Sequence, residues 1–222
     1  MKSNNKENIL ELKREEQYET VESLLKKSKP SFSYWLFLVF ASFIVACGIL
    51  LENSAIVIGG MLVAPLLTPL LVLALAVSIG EINFIKRELA WFIFKSFLVV
   101  ILASVIIAFF FGQPKSYFVF ENTLKTALLY FVVALISGMA ATFAWVRKEV
   151  FEVLPGTAIA VSLVPPLVLV GIHLAGLNFL QARFYFLLFL FNFFGILMGA
   201  LIVFSLLQFY RVKRKFKITS ED

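Results

Sequence analysis

Six apolar stretches, near 34–51, 55–79, 89–111, 124–146, 156–176 and 184–210, restrict this chain more than any other feature of its sequence. Crossing the hydrocarbon core of a bilayer as a helix takes about 20 predominantly apolar residues, and each stretch is close to or beyond that length. Lipid offers no water to exposed backbone N–H and C=O groups, so only helices or a closed barrel can span it. The period-two alternation of barrel strands is absent, which leaves helices. Composition agrees: 61% of residues are hydrophobic and 15% charged, against about half and a quarter in soluble domains. A chain of 222 residues could not hide so much apolar surface in one aqueous core.

The net charge of +6 suggests nucleic-acid binding only until the positions are read. Sixteen Lys and Arg lie before the first stretch, after the sixth, or in the second-to-third and fourth-to-fifth connections. The opposite side has only Lys115, Lys125 and Arg183. Positive residues are retained on the cytoplasmic side. The expectation is therefore a multi-pass protein of the cytoplasmic membrane, a bacterial inner membrane, with both termini cytoplasmic and no nucleic-acid partner. Lys95, about two turns into the third stretch, can snorkel its ammonium to the interface. About thirty polar residues precede the first stretch and no small-residue cleavage site follows it, so a secretory signal peptide is not expected. The chain divides into a polar, amphipathic segment 1–33, a transmembrane domain 34–210 and a basic tail 211–222. In the first of these, Leu10, Tyr18, Val21 and Leu25 share one helical face. That face lies on the membrane interface, pairs with another copy or stays solvated; the sequence leaves these open.

The second and fifth stretches differ from the rest. One runs Asn53-Ser54-Ala55-Ile56-Val57-Ile58-Gly59-Gly60-Met61-Leu62-Val63-Ala64-Pro65 and continues to Thr68-Pro69; the other runs Pro155-Gly156-Thr157 through Ser162 to Pro165-Pro166. Five of the 7 prolines fall in these two segments, where an interior proline removes a backbone hydrogen bond and clashes with the preceding turn. Both helices are expected to kink or unwind within the membrane. Each broken span is the middle one of three, and three is odd, so the two halves of the chain insert with opposite orientation. The predicted fold is all-α and integral to the membrane: six transmembrane helices as two inverted three-helix repeats, with Pro-broken second and fifth helices. In such repeats, discontinuous helices meet near the midplane and form a solute or ion site from orphaned backbone groups.

The run Asn53-Ser54-Ala-x-x-Ile58-Gly59-x-Met61-Leu62-x-Ala64-Pro65, with the later Gly156-x-Ala158-Ile159-Ala160-x-x-Leu163-Val164-Pro165-Pro166, resembles the DUF389 family, uncharacterised hydrophobic membrane proteins of bacteria and archaea. Asn192 in the last stretch fits the same pattern, and the resemblance extends over roughly 34–210. It implies a membrane fold and supplies no activity. Some relatives carry an additional soluble domain, and this chain reads as a version without one.

Polar and helix-breaking residues inside spans are the functional candidates, because lipid penalises them unless they are satisfied. They are Asn53, Ser54, Gly59, Gly60, Pro65, Thr68, Pro69, Thr157, Ser162, Pro165, Pro166 and Asn192. Each has a plainer alternative: Asn53 and Ser54 as helix caps, Thr68 and Ser162 as back-bonders to freed carbonyls, Asn192 as glue between helices. His173, the only His, reads as interfacial. Gly195 and Gly199, one turn apart, permit a close helix approach, within the chain or between copies in a homo-oligomer. No nucleotide-binding loop, His cluster or Cys pair occurs, and Cys47 is the only Cys, so no enzyme, metal or cofactor is expected. The functional expectation is a secondary transporter or channel-like permease for a small solute or ion, working in the lipid bilayer; the alternative is a non-transporting membrane scaffold or sensor.

Overall fold

In a computed structural model of the chain, described here for residues 14–85, 89–112, 124–147 and 163–212, the architecture is helical and strands are absent among those residues. The helices are α1 (Arg14–Ser28), α2 (Phe32–Leu50), α3 (Ser54–Val63), α4 (Leu67–Ile79), α5 (Ala90–Phe111), α6 (Leu124–Val146), α7 (Val164–Ala175) and α8 (Phe179–Leu206). A single helical turn, Ile82–Phe84, follows α4, and a 3-10 turn, Phe209–Val212, closes the described chain. Among the described residues four helices are individually long and apolar enough to cross a membrane: α2, α5, α6 from Leu128, and α8. The pair α3 and α4 is long and apolar enough only when taken together, and it is bent by 55° at its break. Helix α7 is apolar but shorter, and 148–162, which precedes it, lies outside the described residues. The chain is thus a membrane protein built of apolar helices.

The bend between α3 and α4 has a local cause. Residues before proline avoid the α region because the proline ring clashes with their backbone. Ala64, immediately before Pro65, is extended at φ −70 and ψ 122, and α3 ends there. The other prolines of these segments in the described residues stand at helix starts. Pro69 lies in the first turn of α4, and Pro165 and Pro166 in the first turn of α7. First-turn N–H groups have no intrahelical partner, so a proline there starts a helix instead of breaking one.

Close approaches hold the bundle together. Helix α3 folds back on α2 through a tight connection in which the Asn53 N–H donates to the Gly48 carbonyl at 2.9 Å. Gly60 lies against the Val45 backbone, and a Cβ there would fall 3.0 Å from the Val45 nitrogen. Helices α6 and α8 meet through Gly138, Gly195 and Gly199, each facing backbone of the other helix. The close approach expected of Gly195 and Gly199 is therefore made within one chain. On α7, Gly171 lies directly against Ser104 and Ile101 of α5. Hydroxyls inside the helices are satisfied locally: Ser42, Ser96, Ser104 and Thr142 each donate to a carbonyl one turn back, at 2.7 to 2.9 Å. Phe37, Trp91, Phe109, Ile136 and Phe194 stay exposed, as expected for surfaces that lipid covers. Lys95 is exposed on α5 with its ammonium 5.2 Å from the Trp91 ring, where a snorkelling Lys belongs.

Helix α1 packs across the ends of α4 and α6 and on the 3-10 turn. Its buried stripe is Gln17, Thr20, Val21, Leu24 and Leu25. Tyr18, expected on that face, is 37% exposed at its edge, and Leu10 lies outside the described residues. The stripe tolerates Gln17 because its amide donates to the Leu207 carbonyl at 2.9 Å. Trp145 donates to the Ser23 hydroxyl at 3.4 Å, and the Lys27 ammonium sits 5.0 Å from the same indole.

Candidate functional site

Two short helices meet where the proline-rich segments end. Helix α3 begins at Ser54 after a cap in which Asn53 Oδ1 accepts from the N–H groups of Ala55 and Ile56, at 3.0 and 3.3 Å. Helix α7 begins at Val164 with its two prolines. Between them, walled on the far side by α6 and α8, is a cavity of about 220 Å³. Ser54, Val57, Ile58 and Met61 line it from α3, and Pro165, Pro166 and Leu169 from α7. Ile49 at the end of α2, Tyr130 of α6, and Leu188 and Asn192 of α8 complete the wall. Among the described residues the surface is mostly apolar, with one hydroxyl, one phenol and one carboxamide, a composition typical of small-molecule pockets.

A second, much smaller cavity of about 10 Å³ lies at the break of the other half. Leu66 and Pro69 from the α3–α4 break and Leu163 from the start of α7 line it, together with Tyr34 and Ser96. It has the size of about one water probe. Its polar groups are joined to each other: the Tyr34 and Ser96 hydroxyls are 2.9 Å apart, and Ser96 also donates to the Phe92 carbonyl.

The candidates therefore separate into groups. Ser54, Pro165, Pro166 and Asn192 converge on the larger cavity although they come from three different helices. Pro65 forms the break, Pro69 lines the small cavity, and Thr68 is half-buried in the first turn of α4. Asn53 acts as a cap, Gly60 is a packing contact, and Gly59 faces open space. Thr157 and Ser162 lie outside the described residues. His173, two residues before the end of α7, is fully buried within the protein, with its ring stacked on Tyr185 at 5.1 Å and 5°. Asn192 is 3% exposed, near the middle of α8.

Tyr130 and Met61 are wall residues that the candidate set lacks. A tyrosine inside the fourth stretch is a legible signal, since its phenol needs a polar partner in lipid. It is overshadowed when attention follows the prolines. Met61 carries no polar signal, and only the turn of α3 toward α7 brings it to the cavity.

A family model described as "Domain of unknown function (DUF389)" matches residues 61–198. An uncharacterised protein of Methanocaldococcus jannaschii is 26% identical over 204 residues, which is 90% of this chain and 61% of that relative. The chain thus spans less than two thirds of that relative's length. No solved structure matches.

Proposed function

We propose a function from the premise that this chain belongs to the DUF389 family: it is a permease of the cytoplasmic membrane that passes a small solute through the cavity between α3 and α7. The observation that carries the reading is the convergence of Ser54, Asn192 and the Pro165–Pro166 pair on one 220 Å³ space beside two helices that begin or end within the apolar region. A protein in which the prolines only bent packed helices would have no need of such a space.

The reading extends to two inverted halves of three spans each. Packing supports it: α5 lies on α7, and the matching pair, α8 on α4, is also in contact. Likewise α2 packs on α5 as α6 packs on α8. Helix α1 touches α4, α6 and the turn after α8, so in this reading the second, fourth and sixth passages end on the side where α1 lies. With the Lys and Arg bias, that side is the cytoplasm.

Solvent access tests the reading. In a Cys47→Ser background, Ser54→Cys and Asn192→Cys are introduced singly and exposed to a membrane-impermeant maleimide, with Ser42→Cys as a fully buried control. Ser54→Cys should react fastest, Asn192→Cys more slowly because only 3% of it is exposed, and Ser42→Cys should not react. If both react as slowly as Ser42→Cys, the cavity is dry and closed, and a scaffold or sensor role replaces transport.

A further inference from the structure

We propose that the solute of this cavity is uncharged and amphipathic: an apolar body with one hydrogen-bonding end, such as a small amide or alcohol. The inference rests on the permease reading and narrows it to a substrate class.

Anions are disfavoured by how the two neighbouring helices start. A helix N-terminus leaves four N–H groups without intrahelical partners, and these commonly cradle anions. In α7, two of the four belong to Pro165 and Pro166, which have no N–H. In α3, the Asn53 side chain takes the N–H groups of Ala55 and Ile56, and the Asn53 N–H is bound to the Gly48 carbonyl. Neither terminus presents a set of free donors. Cations fare no better, because among the described residues that line the cavity none is a carboxylate. An ion entering would lose its hydration with no opposite charge among those residues to replace it.

A neutral solute meets a better match. Ile49, Val57, Ile58, Leu169 and Leu188 give the walls an apolar surface, and Ser54, Tyr130 and Asn192 supply neutral donors and acceptors. At about 220 Å³ the space is larger than a single dehydrated ion requires and suits a molecule of several heavy atoms.

Three probes of one shape and different charge decide the matter: butyramide, butyrate and n-butylammonium. The readout is the rate at which maleimide modifies Ser54→Cys, in the Cys47→Ser background, with the protein in lipid nanodiscs. Butyramide should slow modification at least about fivefold at a concentration where the two ions have no effect. Adding Asn192→Leu should abolish that protection, judged against the rate of the same double variant without probe. Protection by butyrate or butylammonium equal to that by butyramide overturns the inference but leaves a permease of ions. Failure of all three to protect a reactive Ser54→Cys overturns it as well. A Ser54→Cys that does not react even without probe removes the permease reading itself, and this inference with it.

Discussion

Leu66, at the break between α3 and α4, and Leu163, the residue before α7, line the same small cavity although they belong to opposite halves of the chain. Both are buried, at 5% and 2% exposure. The α3–α4 break and the start of α7 are therefore neighbours in space. The small cavity also holds the hydrogen-bonded Tyr34–Ser96 pair, and the larger one is lined by Pro165 and Pro166 of the same α7 start.

Glycines that face backbone should be intolerant of even one added methyl group. A Cβ on Gly199 would meet the Leu135 carbonyl, and its neighbours are backbone that cannot step aside. Gly199→Ala should cost about 1–3 kcal/mol through overpacking. Gly59 meets nothing within 4 Å, so Gly59→Ala should be neutral or stabilise by up to about 1 kcal/mol through helix propensity. Thermal unfolding of the purified variants in detergent, followed by size exclusion, measures both; a lower melting temperature for Gly59→Ala than for Gly199→Ala would contradict the packing described.

Asn53 should behave as a cap. Asn53→Ala should lose about 1 kcal/mol of stability, and Asn53→Ser and Asn53→Asp should retain most of it, because their oxygens also accept the first-turn N–H groups. The same variants distinguish a cap from a ligand. If Asn53→Asp keeps its melting temperature but loses butyramide protection of Ser54→Cys, Asn53 contacts the solute as well.

Helix α1 should be held more by one buried amide than by its ion pair. Gln17 is 5% exposed and its bond to the Leu207 carbonyl joins the two ends of the described chain. Gln17→Ala removes that bond and should cost about 1 kcal/mol. The Arg147–Glu16 pair is 3.7 Å apart with both side chains partly exposed, so Glu16→Ala should cost well under about 1 kcal/mol. Amide hydrogen exchange across α1 reports both, and faster exchange in Glu16→Ala than in Gln17→Ala would reverse the ranking.

Tyr34→Phe should be mild. It removes one hydrogen bond in lipid, worth about 0.6 kcal/mol on average, and Ser96 keeps its bond to the Phe92 carbonyl at 2.9 Å. A large fall in melting temperature would show that the small cavity admits water once the phenol is gone.

The sequence by itself determined the helices and the first break. Length, hydropathy and the missing alternation dictate apolar helices, because lipid satisfies no backbone group, and their boundaries come out close: the stretches at 34–51 and 89–111 are Phe32–Leu50 and Ala90–Phe111. The interruption at Ala64–Pro65 was legible for a local reason too, since proline constrains the residue before it wherever it occurs. Tertiary structure decided what the prolines and polar residues do. Nothing in the local sequence says that Pro165 and Pro166 open a helix, that Asn53 spends its oxygen on a cap, that His173 is buried against Tyr185, or that Tyr130 faces Ser54 and Asn192 across one cavity. Those roles depend on which helices approach one another, and between apolar helices that is set by the fit of small residues against a neighbour's backbone, as at Gly138 and Gly199, rather than by hydrophobicity, which is alike on every face.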